Sequence, residues 1–354
     1  MRVATDVGGT FTDLVYYDFD EKTGTPGPVL TEKSNTTPPN FEDGVMNTLH
    51  RSGLNPGDIS FLAHGTTVVI NALTERKGAK TGLITTRGFR DILEIARGNR
   101  PDVFNFYFSK PEPFVPRHLR LEVDERCEYT GEILTPLVPG DLAEIVDKFK
   151  AGDVAAIAIC FLHSYANPDN EILAAREVFR LWPEVSVVAS HQISREWREY
   201  ERTSSAVLAA YVHPLTNQYL DNLEGRLAAD GFTGQPFVMQ SNGGIASMAR
   251  ARTNPVAMVE SGPASGVLGA VALGKIIGEP NIIALDIGGT TAKCSLAQNS
   301  EASLTTDYKI DWSRKRAGYP IKTPVVDIVE IGNGGGSIAW IDEGGKLHVG
   351  PESA

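Results

Sequence analysis

Residues 6–13 read Asp6-Val7-Gly8-Gly9-Thr10-Phe11-Thr12-Asp13, and residues 286–293 read Asp286-Ile287-Gly288-Gly289-Thr290-Thr291-Ala292-Lys293. Each stretch joins two strand-like runs, so each predicts a hairpin with a glycine-rich turn. The separation of the two copies is far longer than the period of a stacked repeat. The duplication instead predicts two similar lobes, each opened by its own hairpin.

Both turns contain the groups that a bound triphosphate needs around it. Paired glycines let the backbone turn tightly and approach a ligand without a Cβ clash. Successive backbone N–H groups in such a turn form a concavity that binds anions. An aspartate at the strand end offers the hard oxygen ligand that Mg²⁺ prefers. One such turn is weak evidence for a nucleotide site. Two copies with the same flanking residues predict that both turns bind one nucleotide.

Strand and helix patterns alternate along the rest of the chain, which is typical of α/β layers. An apolar run at residues 154–162 predicts a strand buried on both faces of a parallel sheet. A helical pattern over residues 204–227 contains Pro214, and we expect the helix to break there. We predict an α/β fold of two lobes, with mixed sheets flanked by helices and a cleft between the lobes.

The positions of the two hairpins predict the domains. We expect a first lobe at residues 1–190, a bridging region of helices and strands at 191–280, and the start of a second lobe at 281–354. Only about 70 residues follow the second opening strand, which is small for a domain. We therefore expect the chain to be the N-terminal part of a longer protein.

Composition and charge narrow the possible partners. The chain has 33 lysines and arginines against 44 aspartates and glutamates, a net charge of −11, which disfavours a nucleic-acid partner. An apolar run long enough to span a membrane is missing from the sequence. The three cysteines form no CxxC pair, so a disulfide framework and a cysteine zinc site are not expected. We expect a reducing compartment, and therefore the cytoplasm.

Five further strings accompany the two turns, and all are quoted as they stand: His64-Gly65-Thr66-Thr67, Arg198-Glu199-Tyr200-Glu201-Arg202-Thr203-Ser204, Gln240-Ser241-Asn242-Gly243-Gly244, Glu260-Ser261-Gly262-Pro263-Ala264 and Gly334-Gly335-Gly336-Ser337. With both turns, they make the chain resemble the hydantoinase A/oxoprolinase family over essentially its whole length. That family is similar to the actin, heat-shock ATPase and sugar-kinase superfamily. The resemblance implies actin-like, ribonuclease H-like lobes and a chain that covers the N-terminal part of the family's length.

The resemblance also implies a cofactor and a partner. Members use ATP, which brings Mg²⁺, and they pair with a hydantoinase B-like subunit or domain. The seven histidines show no HxxxH or HxE spacing, so the Mg²⁺ of ATP is the only metal that we predict.

We assign the predicted site by residue. Asp6 and Asp286 are the catalytic and metal-binding candidates. His64 follows a strand and precedes a helix, and we weigh a general base near the phosphates against a histidine that only caps its own turn. The nucleotide-binding candidates are Gly8, Gly9, Thr10, Thr12, Asp13, Gly288, Gly289, Thr290, Thr291 and Lys293. The charged string at residues 198–204 is placed near the cleft by the resemblance, without a role for each residue.

Three functions remain open. The first is an ATP-dependent hydrolase that opens a cyclic amide, such as a hydantoin, 5-oxoproline or a lactam, through a phosphorylated amide. The second is a subunit of an ATP-dependent ketone carboxylase of the acetone or acetophenone type. The third belongs to another class, a non-catalytic, nucleotide-gated actin-like protein. A sugar kinase would need a sugar-binding signature, and the sequence shows none.

Overall fold

The computed structural model describes residues 1–20, 22–23, 25–98, 103–288, 292–313 and 316–354. The strands up to residue 247 are β1 (Arg2–Val7), β2 (Phe11–Tyr17), β3 (Phe19–Asp20), β4 (Thr25–Pro26), β5 (Leu30–Asn35), β6 (Phe61–Thr66), β7 (Thr81–Thr86), β8 (Arg120–Val123), β9 (Arg126–Cys127), β10 (Ile133–Thr135), β11 (Ala156–Cys160), β12 (Ser186–Ala189), β13 (Pro236–Met239) and β14 (Ile245–Ser247). The later strands are β15 (Ile282–Ile287), β16 (Ala292–Gln298), β17 (Glu301–Ala302), β18 (Leu304–Thr305), β19 (Tyr308–Trp312), β20 (Ala317–Ile321), β21 (Val325–Val326), β22 (Val329–Ile331), β23 (Ser337–Ile341) and β24 (Leu347–Ser353). The α-helices are α1 (Phe41–Ser52), α2 (Val68–Thr74), α3 (Ile92–Ile95), α4 (Leu142–Ala151), α5 (Asp169–Leu181), α6 (Ser190–Ile193), α7 (Glu199–Ala229), α8 (Met248–Thr253) and α9 (Ser261–Ile277).

A six-stranded mixed sheet carries the first glycine turn. Its strand order is β14-β13-β6-β1-β2-β5. Strands β1, β6 and β13 run parallel to one another, while β2, β5 and β14 are antiparallel to their neighbours. The carboxyl ends of the three parallel strands therefore meet at one edge, which is where open α/β sheets bind ligands. Three short segments follow or end these strands at that edge: residues 8–10, 66–67 and 240–242.

A second sheet supplies most of the remaining core. It has the order β12-β11-β7-β8, and its strands are all parallel. Each residue of β11 is buried, so the predicted doubly buried strand is confirmed. Mixed and parallel sheets flanked by helices also confirm the α/β class. None of the helices in the described ranges is long and apolar enough to cross a membrane.

Helix α7 runs unbroken through Pro214, so the predicted break is wrong. A proline inside a helix removes one backbone hydrogen bond and costs about 3 kcal/mol. Here the helix is packed on both sides of the proline, where Leu208, Val212, Leu220 and Leu223 are all buried. The burial of these side chains outweighs the local cost, because each buried leucine contributes roughly 2 kcal/mol.

The region predicted as a bridge is built into the first sheet. Strands β13 and β14 extend that sheet beyond β6, and α7 packs against the second sheet at β11 and β12. The domain boundaries at residues 190 and 281 stay predictions. Beyond residue 281, β15 and β16 form the second predicted hairpin, and β17 and β22 both pair with β16.

Candidate functional site

The first glycine turn is fixed from two directions. The N–H of Gly8 donates to the carbonyl of Phe11 across 2.9 Å, and the hydroxyl of Thr36 donates to the carbonyl of Gly8 across 2.8 Å. A Cβ at Gly8 would lie 3.0 Å from the Phe11 carbonyl oxygen, so the turn needs glycine there. Gly9 and Thr10 stay exposed at its tip. The turn is therefore held open, with its tip free for a ligand.

Thr12 lies beneath the turn and not at its surface. Its side chain is fully buried, and its hydroxyl lies 3.3 Å from that of Thr36. Strand β2 alternates buried and exposed residues, which places Thr12 on the inner face. This geometry favours a supporting role for the Thr12 hydroxyl, while Asp13 is half exposed and pairs with Lys33 across 3.0 Å.

Asp6 is the penultimate residue of β1, and one of its carboxylate oxygens is unsatisfied within the described residues. Its Oδ1 is buried and has no hydrogen-bond partner in the described part of the chain. Burial raises the pKa of Asp6 to about 6, and the negative charges of Asp13 and Asp286 add to this effect. The negative charge of Asp286 therefore acts on the carboxylate of the first turn as well as at its own turn. A divalent cation placed here would satisfy the oxygen and offset the repulsion.

The second hairpin has the same register as the first. Asp286 lies opposite Lys293 in β15 and β16, as Asp6 lies opposite Asp13 in β1 and β2. Asp286 and Gly288 are exposed, and the carbonyl of Gly288 accepts a 2.9 Å hydrogen bond from the N–H of Gly335. The predicted ligands Gly289, Thr290 and Thr291 lie outside the described residues.

The start of helix α9 lies between the two hairpins. The Ser261 hydroxyl donates to the carbonyl of Thr66 across 3.0 Å and accepts from its N–H across 3.3 Å. A Cβ at Gly262 would lie 3.4 Å from Asp6 Oδ1, and one at Gly65 would lie only 2.6 Å away. A helix N-terminus attracts anions through its free N–H groups and its dipole. Three of the quoted strings therefore meet at the carboxylate of Asp6.

A buried carboxylate ties the second hairpin to this helix start. Glu260 accepts a hydrogen bond from Lys293 Nζ across 3.2 Å and another from the Tyr308 hydroxyl across 2.6 Å. Sequence reasoning missed the roles of Glu260 and Tyr308. Glu260 opens one of the quoted strings, but Tyr308 lies in a segment without any motif.

His64 is placed in the core and not at the ligand edge. Its side chain is fully buried, Nδ1 lies 2.7 Å from the Thr5 hydroxyl, and Nε2 lies 2.5 Å from the Tyr219 hydroxyl. Burial lowers the pKa of His64 to about 4, so the imidazole is neutral at pH 7. Since both ring nitrogens are occupied, this geometry favours a structural role. The general-base role stays a prediction.

The charged string at residues 198–204 forms the start of α7, and it is also structural in this geometry. Glu201 forms an ion pair with Arg97, through Nε at 2.8 Å from Oε1. Arg202 is buried and donates to the Ser190 hydroxyl and to the carbonyl of Phe161. Within the described residues, the hydrogen bonds and ion pairs of these two side chains go to partners outside the glycine turns.

A cavity of about 240 Å³ lies between α9 and the second hairpin. Its only charged lining residues within the described ranges are Asp286 and Lys293. The other walls are small or apolar, with Val267 and Ala270 from α9, Leu285 from β15, and Ile328 from the segment before β22. The cavity therefore has one charged end, at the second hairpin, and an apolar body.

The donor set fits a metal that arrives with a ligand. In the residues that the structure describes, no group of three or more histidine, cysteine, aspartate or glutamate side chains is placed to hold a metal. Mg²⁺ keeps several waters and takes one or two carboxylates together with phosphate oxygens. Two carboxylates match that requirement: Asp6, whose Oδ1 has no partner among the described residues, and Asp286, whose charge acts on Asp6.

Two family profiles match the chain. The profile of the hydantoinase/oxoprolinase N-terminal region matches residues 2–180, and the hydantoinase/oxoprolinase profile matches residues 202–354. An uncharacterised protein of Methanocaldococcus jannaschii is 40% identical over 362 residues, which cover 100% of this chain and 52% of that protein. The caprolactamase subunit alpha of Pseudomonas jessenii is 33% identical over 363 residues, covering 100% of this chain and 50% of the relative.

Two solved structures share the fold. The ATP-dependent caprolactamase of Pseudomonas jessenii superposes with a TM-score of 0.84 at 32% identity, and the nucleotide-free acetone carboxylase with 0.81 at 28%. Each comparison covers 100% of this chain and 51% of the solved chain, so this chain spans about half the length of the proteins it matches. Taken with the two family profiles, these similarities establish that the chain belongs to the hydantoinase/oxoprolinase family.

Proposed function

We propose that the protein is the ATP-binding part of an ATP-dependent hydrolase that opens a cyclic amide, such as a hydantoin, 5-oxoproline or a lactam. The observation that carries this proposal is Asp6 Oδ1, which is buried, has no hydrogen-bond partner among the described residues, lies beside the start of α9 and is influenced by the charge of Asp286. A caprolactamase subunit is similar to this chain over its whole length, which supports a cyclic amide as the substrate.

In this proposal the two turns hold the triphosphate. Backbone N–H groups at residues 8–10 and 288–290 bind phosphate oxygens, and the exposed Thr10 hydroxyl adds a donor. Asp6 and Asp286 hold Mg²⁺ directly or through water, which neutralises charge on the phosphates. Thr12, Asp13 and Lys293 support the turns, and Thr291 stays a nucleotide-binding candidate. Positioning and charge neutralisation are what phosphoryl transfer mainly requires.

The chemistry follows from the stability of the amide. Resonance makes the amide carbon a poor electrophile. The amide oxygen attacks the γ-phosphorus of ATP, and the bond to the bridging oxygen breaks to release ADP. Water then attacks the activated carbon, and the C–N bond of the ring opens to leave an acyl phosphate and a free amine. A second water hydrolyses the acyl phosphate to a carboxylate and inorganic phosphate, so one ATP and two waters are consumed for each ring that opens.

A ketone carboxylase subunit is the second candidate, because the acetone carboxylase structure also matches the whole chain. There, ATP would activate an enol and bicarbonate through the same phosphate site. We further propose a partner chain of the hydantoinase B type, since the caprolactamase relative is itself named a subunit.

One assay separates these functions. ADP release is measured with cyclic amides, with a ketone plus bicarbonate, and with neither, in the presence of Mg²⁺. We expect a cyclic amide to stimulate ADP release. Stimulation only by ketone plus bicarbonate supports the carboxylase, and ATP binding without stimulation by either supports a nucleotide-gated protein.

A further inference from the structure

A hydrogen-bonded chain of three buried side chains runs from α7 to the strand that carries Asp6. The Tyr219 hydroxyl of α7 lies 2.5 Å from His64 Nε2, and the Thr5 hydroxyl of β1 lies 2.7 Å from His64 Nδ1. Tyr219 is 6% exposed, Thr5 is 3% exposed and His64 is fully buried. A neutral imidazole has one donor and one acceptor nitrogen, so one hydroxyl donates to the ring and the other accepts from it. This hydroxyl–imidazole chain therefore needs both hydroxyls to be complete.

The hydroxyl–imidazole chain lies directly beside the contact between Asp6 and Gly65. In the parallel pair of β1 and β6, Thr5 is the register partner of His64, and Asp6 is the register partner of Gly65. Successive residues of a strand point to opposite faces of the sheet. The side chains of Thr5 and His64 therefore point into the core, while Asp6 and Gly65 meet on the other face. There, a Cβ at Gly65 would lie 2.6 Å from Asp6 Oδ1.

Backbone contacts fix the two strands on the far side of this contact. The N–H and the hydroxyl of Thr67 donate to the carbonyl of Val7 across 3.1 and 3.0 Å. The contact between Asp6 and Gly65 is thus held from both sides, by these bonds and by the hydroxyl–imidazole chain. Since the carboxylate of Asp6 lies so close to Gly65, a shift of β6 against β1 would move that carboxylate.

We propose that Tyr219 is a positioning residue for the nucleotide site, because through His64 it fixes β6 against β1 and so holds the Asp6 carboxylate in the place where it binds Mg²⁺. This role rests on the proposed function only in taking Asp6 as a ligand of Mg²⁺. Tyr219 acts through other side chains and is not a catalytic residue. Without its hydroxyl, one nitrogen of the buried imidazole loses its partner, which costs free energy that a shift of β6 can relieve.

Two variants remove one hydroxyl each from the ends of the hydroxyl–imidazole chain. Tyr219→Phe keeps the aromatic ring, and Thr5→Val keeps the shape of the side chain. The binding of a fluorescent, non-hydrolysable ATP analogue is titrated with Mg²⁺, so that no turnover is required. We expect each variant to need about tenfold more Mg²⁺ for half-saturation, because groups that orient a metal ligand contribute about that much to metal affinity. Nucleotide binding without Mg²⁺ should stay within about twofold of the unaltered protein.

Further variants separate positioning from a general loss of stability. Tyr211→Phe is the matched control, because Tyr211 lies on the same helix, is 8% exposed and takes no part in the hydroxyl–imidazole chain. It should leave the Mg²⁺ requirement unchanged. Thr5→Ser keeps the hydroxyl and should behave as the unaltered protein does. The double variant of Thr5→Val with Tyr219→Phe should need about as much Mg²⁺ as either single variant, because both hydroxyls act through His64.

The binding titration can contradict this role without reference to any substrate. The role is wrong if Tyr219→Phe and Thr5→Val, shown by circular dichroism to be folded, keep the Mg²⁺ requirement of the unaltered protein. It is also wrong if Tyr211→Phe raises that requirement as much, or if the unaltered protein binds the analogue without any dependence on Mg²⁺. If cyclic amides fail to stimulate ADP release while the shift in Tyr219→Phe is observed, the proposed hydrolase is wrong and the positioning role stands.

Discussion

Lys293 Nζ lies 3.2 Å from Glu260 Oε2, and this ion pair joins the second glycine hairpin to the residue before helix α9. The same helix start bonds to Thr66 through Ser261 and approaches Asp6 through Gly262. The two hairpins are therefore positioned through one shared element. A substitution at one end of this connection should therefore alter the position of residues at the other end.

The Glu260 ion pair should contribute to stability. Lys293→Met leaves a buried carboxylate without its cation, and we expect the free energy of unfolding to fall by about 2 kcal/mol. Urea denaturation measures this difference. Lys275→Met, on the exposed last turn of α9, is the matched control and should change little. Equal losses in the two variants would mean that the ion pair with Glu260 adds nothing.

The two glycines beside Asp6 should differ in their tolerance of a methyl group. A Cβ at Gly65 would lie 2.6 Å from Asp6 Oδ1, so Gly65→Ala must displace the carboxylate, whereas the corresponding distance for Gly262 is 3.4 Å. Misplacing a reacting group by about 1 Å costs roughly 100-fold in rate, and we expect that loss of ATP turnover in Gly65→Ala. Gly262→Ala should stay within about threefold of the unaltered protein. A reversed order would contradict the geometry proposed for Asp6.

His64 should make the fold less stable in acid. Its pKa is about 4 in the folded protein and near 6.5 when unfolded, so the unfolded chain binds the proton more tightly. Stability is therefore complete above about pH 6.5 and falls as the pH drops toward 4, by about 2 kcal/mol at pH 5 from this residue alone. Urea denaturation at pH 7 and pH 5 tests this, with His64→Gln as the variant that cannot titrate. The same loss in His64→Gln would assign the pH dependence to other groups.

Asp286 should be required for turnover but not for folding. Its side chain is exposed at the end of β15, so Asp286→Ala should leave the melting temperature nearly unchanged. If it helps to hold Mg²⁺ at the phosphates, ATP turnover should fall by at least about 100-fold. ADP release under saturating substrate measures the change. Unchanged turnover in a folded Asp286→Ala variant would refute the role.

Local patterns predicted the parts of the fold that depend on local interactions. The β1–β2 hairpin follows from alternating side chains around two glycines, and the buried strand β11 from an uninterrupted apolar run. The unbroken helix at Pro214 was not predictable, because its stability comes from packing against distant strands. The sequence of the helix alone does not show whether the free energy gained by burying its side chains exceeds the cost of the proline.

In the candidate site, too, local features were predictable from the sequence and tertiary contacts were not. The aspartate and glycines of both turns are readable from the sequence because they recur as one short local motif, and at Gly8 the close Phe11 carbonyl also requires glycine. The contact of Glu260 with Lys293 and Tyr308 was not readable, because it joins residues from separate elements. The burial of His64 was missed because a polar side chain after a short apolar run resembles a ligand-edge residue. Only the Tyr219 and Thr5 hydroxyls reveal that it is satisfied within the core.

The central claim is that one nucleotide is held by both glycine turns. A crystal structure with Mg²⁺ and a non-hydrolysable ATP analogue tests this most directly. The account predicts phosphate oxygens about 3 Å from backbone nitrogens in both turns, at residues 8–10 and 288–290, with the metal beside the Asp6 carboxylate. A triphosphate that contacts only one turn, or binds elsewhere, would contradict it.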